Sequence, residues 1–316
     1  MRPASLRYRD LLARAAGALG VLVCVNFALQ GWAVNTMPRQ LLRHARLASS
    51  PTTLFLGNST MAAALDETTF AEASPGSRPL NMALGATQPT EHYLLLRQRP
   101  LDRGATVVYG FIDTQMTDPV DGSWTALVGN RALAYYVEPD VAANLFAPES
   151  PKWRAGFLLV AHVPLLRERS VFWSRVEGAR RFLAGVGLPR QATNRFGRAQ
   201  DFALLEADPA EFVRRCAAAA DRPFSRPVAE ILQRAQTNGN PVYVLEMPMT
   251  STHRARFFTS EAWQTYRVHV RALVQQSGAR FLDASDWISD DLFADPLHVS
   301  EAGARAFSAR LAGELR

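Results

Sequence analysis

Three short apolar segments, each with a glycine at or near its end, constrain the fold of this chain more than any other feature. They occupy residues 53–57, 78–85 and 105–112. Helix-favouring stretches separate them, one over 60–73 and one that begins at Pro89, a residue suited to the first turn of a helix. A strand–helix–strand–helix–strand order is typical of a doubly wound parallel sheet. We therefore predict an α/β fold with a flavodoxin-like, doubly wound parallel sheet.

The same alternation returns near the C-terminus. The sequence predicts a helix around 226–237, a strand over 242–248, a helix over about 260–276 and a strand over 279–283. A last helix is expected from about Ser300, which suits an N-cap. The sheet should therefore have about five strands.

Residues 114–225 lack this alternation and predict a mostly helical insertion. The expected organisation is a single α/β domain over 53–316, with its core in 53–113 and 226–316.

The N-terminal segment 15–34 is mostly apolar and about as long as a helix that crosses a bilayer. Arginines at positions 2, 7, 9 and 14 precede it and favour a cytoplasmic N-terminus. We expect residues 1–35 to form an anchor in a bacterial membrane and 36–52 a connector. The single-pass protein would then hold its α/β domain outside the cytoplasm, in a periplasmic or extracellular location. A cleaved signal peptide on a secreted protein and a buried helix of a soluble protein are the alternatives.

Charge and cysteine content argue against two classes of function. The formal net charge is +6, but the arginines are scattered and form no basic stripe with interleaved aromatics, so nucleic-acid binding is not expected. The two cysteines, Cys24 and Cys216, make no disulfide framework, and no CxxC or HExxH pattern predicts a metal site.

Polar residues and glycines follow the predicted strands at four places. Ser59, Gly85 and Asp113 come directly after the first three strands, and Asp295 and His298 lie in a loop after the last. Because ligands bind at the carboxyl ends of the strands in open parallel sheets, these segments should meet along one edge. An acid three residues before a histidine can orient the imidazole, which can then activate a serine.

These blocks resemble the SGNH (GDSL-like) hydrolase family. The resemblance covers residues 53–113 and 241–316. The matching motifs are Gly57-Asn58-Ser59, Gly85, and Asp295-x-x-His298, which continues into a glycine-containing helix. It implies that Ser59 is the nucleophile and His298 the general base and then acid. It further implies that Asp295 fixes the imidazole and that the Ser59 and Gly85 amides form the oxyanion hole.

Two positions depart from the family pattern. Asn58 stands where an aspartate is usual, and 110–115 replaces the usual Gly-x-Asn-Asp block. The third oxyanion donor is therefore missing or replaced, with Gln115 as the candidate replacement. Asn58 and Asp113 are candidates for substrate binding.

The resemblance implies acyl transfer through an acyl-serine, without a cofactor or metal. The acceptor is water in an esterase and a sugar hydroxyl in an O-acyltransferase. Extracytoplasmic members that act on O-acetylated polysaccharides also depart from the strict blocks. The expected substrate is thus an acylated carbohydrate, as in an envelope or secreted polysaccharide, or another ester. The expected partner of the protein is envelope polysaccharide machinery. The alternative is a catalytically silent scaffold or binding component of such machinery.

Overall fold

The computed structural model describes residues 4–32, 37–120 and 208–315, together with residues 159, 163, 166 and 180. Contacts divide the chain into two units, one of 1–40 with 122–188 and one of 41–121 with 189–316. The second unit contains the sheet. Most of the predicted insertion, 121–207, lies outside the described residues apart from those four positions, and so do its aromatic residues Trp124, Tyr135, Tyr136, Trp153 and Trp173.

Five parallel strands form the sheet in the order β2-β1-β3-β4-β5. Their bounds are β1 Thr53–Leu56, β2 Pro79–Asn81, β3 Thr106–Phe111, β4 Val242–Glu246 and β5 Arg280–Asp283. The predicted α/β fold and its parallel, flavodoxin-like sheet are confirmed. The strand order reverses between β1 and β3, and such switch points create a crevice at the carboxyl ends of the strands.

Ten α-helices have both of their ends within the described residues. Their bounds are α1 Ala4–Trp32, α2 Met37–Leu47, α3 Ser59–Ala64, α4 Glu67–Ala73, α5 Pro89–Gln98, α6 Pro209–Ala219, α7 Arg226–Thr237, α8 Ser251–Phe257, α9 Glu261–Gln276 and α10 Glu301–Glu314. The segment 36–52, expected as a connector, contains α2, and α8 is a short helix that the sequence pattern did not predict.

Helices cover the sheet, and this explains why every residue of β1 and β4 is buried. Helix α10 packs against α3 and α4, while α5 packs against α7 and α6 against α9. The side chains of Phe55, Met61, Leu245 and Phe307 belong to one buried apolar cluster beneath α10. This layer joins the beginning of the sheet to the last helix of the chain.

The predicted helix over 60–73 is interrupted. Leu65 has an extended backbone, and the Asp66 carboxylate accepts a hydrogen bond from the Thr69 N–H at 2.8 Å, which caps a new helix. The Asp66 N–H donates to Ser308 Oγ at 2.8 Å. Two short helices therefore replace the single one, and the break is held from α10.

Helix α1 contains an apolar window, Asp10–Ala28, with a mean hydropathy of 1.8 over 19 residues. None of that window is buried within the protein. Among the described residues, α1 alone is long and apolar enough to cross a membrane, a composition that suits an anchor or a signal sequence.

Candidate active site

The loop between β5 and α10 holds Asp295 and His298 in one closed turn. A bridge between Phe293 and Val299 closes the loop at its base. One Asp295 oxygen, Oδ1, accepts hydrogen bonds from the Leu297 N–H at 3.0 Å and the His298 N–H at 2.8 Å. This local turn explains the three-residue spacing, because it brings the imidazole onto the carboxylate that organises the turn.

The imidazole of His298 contacts both oxygens of Asp295. Nδ1 lies 2.9 Å from Oδ1 and 3.0 Å from Oδ2, and His298 is 2% and Asp295 9% exposed. Because an ionised carboxylate only accepts hydrogen bonds, Nδ1 carries the proton and Nε2 is the basic nitrogen. The arrangement can therefore take up a proton at Nε2 and stabilise the resulting imidazolium.

Ser59 is the first residue of α3, two residues after Gly57, the glycine that follows β1. Asn58 caps this helix, since its Oδ1 accepts from the Thr60 N–H at 3.0 Å and from the Thr60 hydroxyl at 2.8 Å. A Cβ on Gly57 would lie 2.8 Å from Met61 Cβ and 3.0 Å from the Gly110 oxygen. Only glycine allows β1 to turn this closely into α3, and the turn leaves Ser59 partly exposed.

The packing of α10 against α3 brings the turn that holds Ser59 and the loop that holds Asp295 and His298 to the same edge of the sheet. Ser59 begins α3, and His298 lies two residues before Ser300, the N-cap of α10. Met61 and Val299 belong to the same buried cluster. The serine and the acid–histidine pair thus lie on neighbouring segments at the carboxyl ends of the strands.

Gly85 lies beside this edge because pairing between the first two strands continues past β2. The Met82 N–H donates to the Phe55 oxygen at 2.8 Å, and the Leu84 N–H donates to the Gly57 oxygen at 3.1 Å. Gly85 directly follows Leu84, and Asn58 directly follows Gly57. Gly85 is therefore brought next to the turn that presents Ser59.

The carboxamides of Asn58, after β1, and Gln115, after β3, are hydrogen-bonded to each other. Asn58 Nδ2 donates to Gln115 Oε1 at 3.3 Å, and Gln115 Nε2 donates to the Gly110 oxygen at 3.4 Å. The Thr60 N–H requires an oxygen on its side of Asn58, which fixes both amide orientations. The oxygen of Gln115 thus contacts Asn58, while its nitrogen bonds to the backbone of β3.

Asp113 is bound to groups around the end of β3. Its Oδ1 accepts from the Gln115 N–H at 3.0 Å, and its Oδ2 lies 3.7 Å from Arg215 Nη2. Arg215, from α6, also bonds to the Thr114 hydroxyl at 2.7 Å and to Asp118 at 3.2 Å. Burial raises the pKa of Asp113, and Arg215 opposes that rise. These bonds tether the segment after β3 to α6.

Sequence reasoning missed a buried polar group beneath the Gly85 turn. It comprises Thr87, Glu91, His92 and Tyr109, each at most 3% exposed. The four side chains come from β3, α5 and the turn before α5, so their proximity depends on how α5 packs on the sheet. Burial in that environment lowers the pKa of His92 to about 3.

No protein-family model and no curated protein sequence matches the chain. Solved structures to which it is similar include a protein from Streptococcus pneumonia described as a platelet activating factor, at 12% identity, over 95% of this chain and 99% of that one, with a TM-score of 0.42. A GDSL-like lipase from Bacteroides thetaiotaomicron is 8% identical over 89% and 98% of the two chains, with a TM-score of 0.37. A carbohydrate acetylesterase from Sinorhizobium meliloti is 12% identical over 84% and 98%, with a TM-score of 0.35. Because these TM-scores lie below 0.5, the functional assignment rests on the residues of this chain.

Proposed function

We propose that this protein is a serine-dependent esterase or O-acyltransferase of the SGNH type. The observation that carries the proposal is the buried contact of His298 Nδ1 with both oxygens of Asp295. This contact lies at the edge of the sheet where Ser59 begins the neighbouring helix. A buried carboxylate–imidazole pair on a segment that neighbours a partly exposed serine suits nucleophilic catalysis.

In the proposed reaction, Ser59 Oγ attacks the carbonyl carbon of an ester while His298 Nε2 takes its proton. Asp295 stabilises the imidazolium, and the N–H groups of Ser59 and Gly85 bind the negative oxygen of the tetrahedral intermediate. The alcohol then leaves with the proton from His298, and an acyl-serine remains. Water or a sugar hydroxyl, deprotonated by His298, attacks that ester and releases either the free acid or a new ester.

The two carboxamides supply the third oxyanion donor in this proposal. One N–H of Asn58 Nδ2 bonds to Gln115, and an amide nitrogen has a second N–H to offer. Gln115 would hold Asn58 in place through its amide oxygen. Asp113 would lie near the bound substrate, where the nearby Arg215 favours its ionised form.

The proposed substrate is an O-acetylated polysaccharide of the envelope or a secreted polysaccharide. Helix α1 would anchor the protein in the membrane, and the arginines before it would keep the N-terminus in the cytoplasm. The catalytic domain would then act outside the cytoplasm, alongside polysaccharide machinery. Secretion after cleavage of α1 is the alternative location.

The test is hydrolysis of 4-nitrophenyl acetate by the full-length protein in detergent. Ser59→Ala and His298→Ala should each abolish turnover above background, whereas Ser74→Ala, a serine at the end of α4, should leave it unchanged. Turnover that persists in Ser59→Ala would reject the nucleophile assignment.

A silent scaffold is the second candidate, favoured by the altered block after β3. It predicts that the folded wild type hydrolyses neither 4-nitrophenyl acetate nor an acetylated polysaccharide. Release of acetate from such a polysaccharide by the wild type, with none from Ser59→Ala, would exclude it.

A further inference from the structure

A directional chain of hydrogen bonds runs through the buried polar group beneath the Gly85 turn. Tyr109 Oη lies 2.9 Å from His92 Nδ1, and His92 Nε2 lies 2.8 Å from Thr87 Oγ1. The Thr87 hydroxyl donates to the Leu84 oxygen at 2.5 Å. The chain therefore ends on a backbone carbonyl at the edge of the proposed active site.

The donors and acceptors in this chain can be assigned. The single proton of the Thr87 hydroxyl goes to the Leu84 oxygen, so Thr87 must accept from His92 Nε2–H. The other nitrogen, Nδ1, then accepts from the Tyr109 hydroxyl. Burial supports both assignments, since it lowers the pKa of His92 to about 3 and raises the pKa of Tyr109. The imidazole is neutral and the phenol keeps its proton.

The carbonyl at the end of the chain belongs to the same peptide group as the Gly85 N–H. A peptide group is planar, so a bond that fixes the Leu84 oxygen also fixes the direction of the Gly85 N–H. A hydrogen bond accepted by the oxygen further polarises the N–H on the opposite side. The Leu84 N–H is held as well, by the Gly57 oxygen.

The backbone at this turn is strained in a way that such a tether explains. Ala86 has a φ of 56°, in the left-handed region that costs about 1–2 kcal/mol for a residue with a Cβ. This conformation lets the chain turn back so that Thr87 reaches the Leu84 oxygen. The bonds of Thr87 therefore hold the turn in the conformation that presents Gly85.

On the basis of the function proposed above, we infer that Thr87, His92 and Tyr109 are positioning residues for the oxyanion hole, because their hydrogen-bond chain orients the Gly85 amide. None of the three touches the substrate. They hold the donor still before the reaction, as an effective oxyanion hole requires.

The first test compares Thr87→Val, which keeps the shape but removes the hydroxyl, with Thr87→Ser, which restores it. Thr53→Val is the matched control, a buried threonine at the opposite end of β1. Complete loss of one oxyanion donor costs about 10²–10³-fold in kcat, so a misaligned donor should cost about 10-fold or more. We expect Thr87→Val to lower the kcat for 4-nitrophenyl acetate by that factor while KM changes less than about twofold, and Thr87→Ser to recover most of the rate. Equal rates for Thr87→Val and wild type would overturn the inference, as would equal losses in Thr87→Ser.

A second measurement does not depend on activity. The chain contains three Leu-Gly pairs, at 19–20, 56–57 and 84–85, so leucine labelled at its carbonyl carbon with ¹³C and glycine labelled with ¹⁵N select three amides. The ¹⁵N shift of Gly85 responds to the hydrogen bond on the preceding carbonyl. It should move in Thr87→Val and return in Thr87→Ser, while the Gly20 signal stays fixed. An inactive wild type would reject the proposed function alone, whereas an unmoved Gly85 signal would reject the positioning role.

Discussion

The change Glu91→Gln should stabilise the protein at neutral and alkaline pH. Glu91 is 1% exposed, near the start of α5. Its Oε2 accepts from the Gln88 N–H at 3.0 Å, and its Oε1 makes no hydrogen bond within the described residues. Burial raises the pKa of Glu91 from 4.5 to about 8, against the smaller effect of backbone hydrogen bonds.

The sign of the effect follows from this raised pKa. Below about pH 4.5 the carboxyl is protonated in both the folded and the unfolded protein, and it favours neither. As the pH rises toward 8, the unfolded chain loses the proton while the folded protein keeps it, so the free energy of unfolding falls. The free energy of unfolding falls by about 1.4 kcal/mol for each pH unit between the two pKa values. The loss therefore reaches at most roughly 3 kcal/mol at pH 7 and about 5 kcal/mol above pH 8.

Glutamine has nearly the same shape, stays neutral and still accepts the Gln88 N–H, as the capping box at this position allows. Urea unfolding of the full-length protein, followed by tryptophan fluorescence, should give equal midpoints for wild type and Glu91→Gln at pH 4.5. The midpoint of the variant should be increasingly higher from pH 6 to pH 9. Glu261→Gln, at an exposed carboxyl in the first turn of α9, is the control and should show no such trend. A difference between wild type and Glu91→Gln that stays constant from pH 4.5 to pH 9 would refute the reasoning.

Three further predictions concern the site and its support. Asp295→Asn should lower kcat for the acetyl ester by about 10³–10⁴-fold, because it removes the charge that fixes the imidazole. A loss of less than about 10-fold in an ester assay at fixed pH would contradict this. Gly303→Ala should reduce the free energy of unfolding by about 2 kcal/mol or more, since the new Cβ would meet the Leu292 oxygen; an unchanged urea midpoint would contradict this. Asn58→Ala should cost about 1 kcal/mol through loss of the Thr60 cap, whereas Asn58→Asp should retain that stability and can be compared in the same unfolding assay.

The sheet could be predicted from sequence because its signals are local. The residues of β1 are all buried, and Gly57 follows at a turn where a Cβ would clash, so the sequence marks both the strand and its end. Helix α7 begins and ends at the predicted residues, 226 and 237. The Asp295–His298 contact is also local, since it arises within one turn of four residues.

The features that could not be predicted depend on distant partners. The helix break at Asp66 involves Ser308, which lies 242 residues away in sequence. The bond between Asn58 and Gln115 joins the ends of β1 and β3, and His92 meets Tyr109 only after α5 has packed on the sheet. A single sequence read for local patterns contains no signal for such pairs.

The most direct test of the proposed function is covalent labelling of the full-length protein with a fluorophosphonate, followed by mass spectrometry. The oxygen of an activated serine attacks the phosphorus of the reagent and displaces fluoride, which leaves a stable phosphonyl-serine. The serine mechanism predicts one adduct per chain, on Ser59, formed much more slowly in His298→Ala. An adduct on another serine, or equal labelling rates in wild type and His298→Ala, would contradict it.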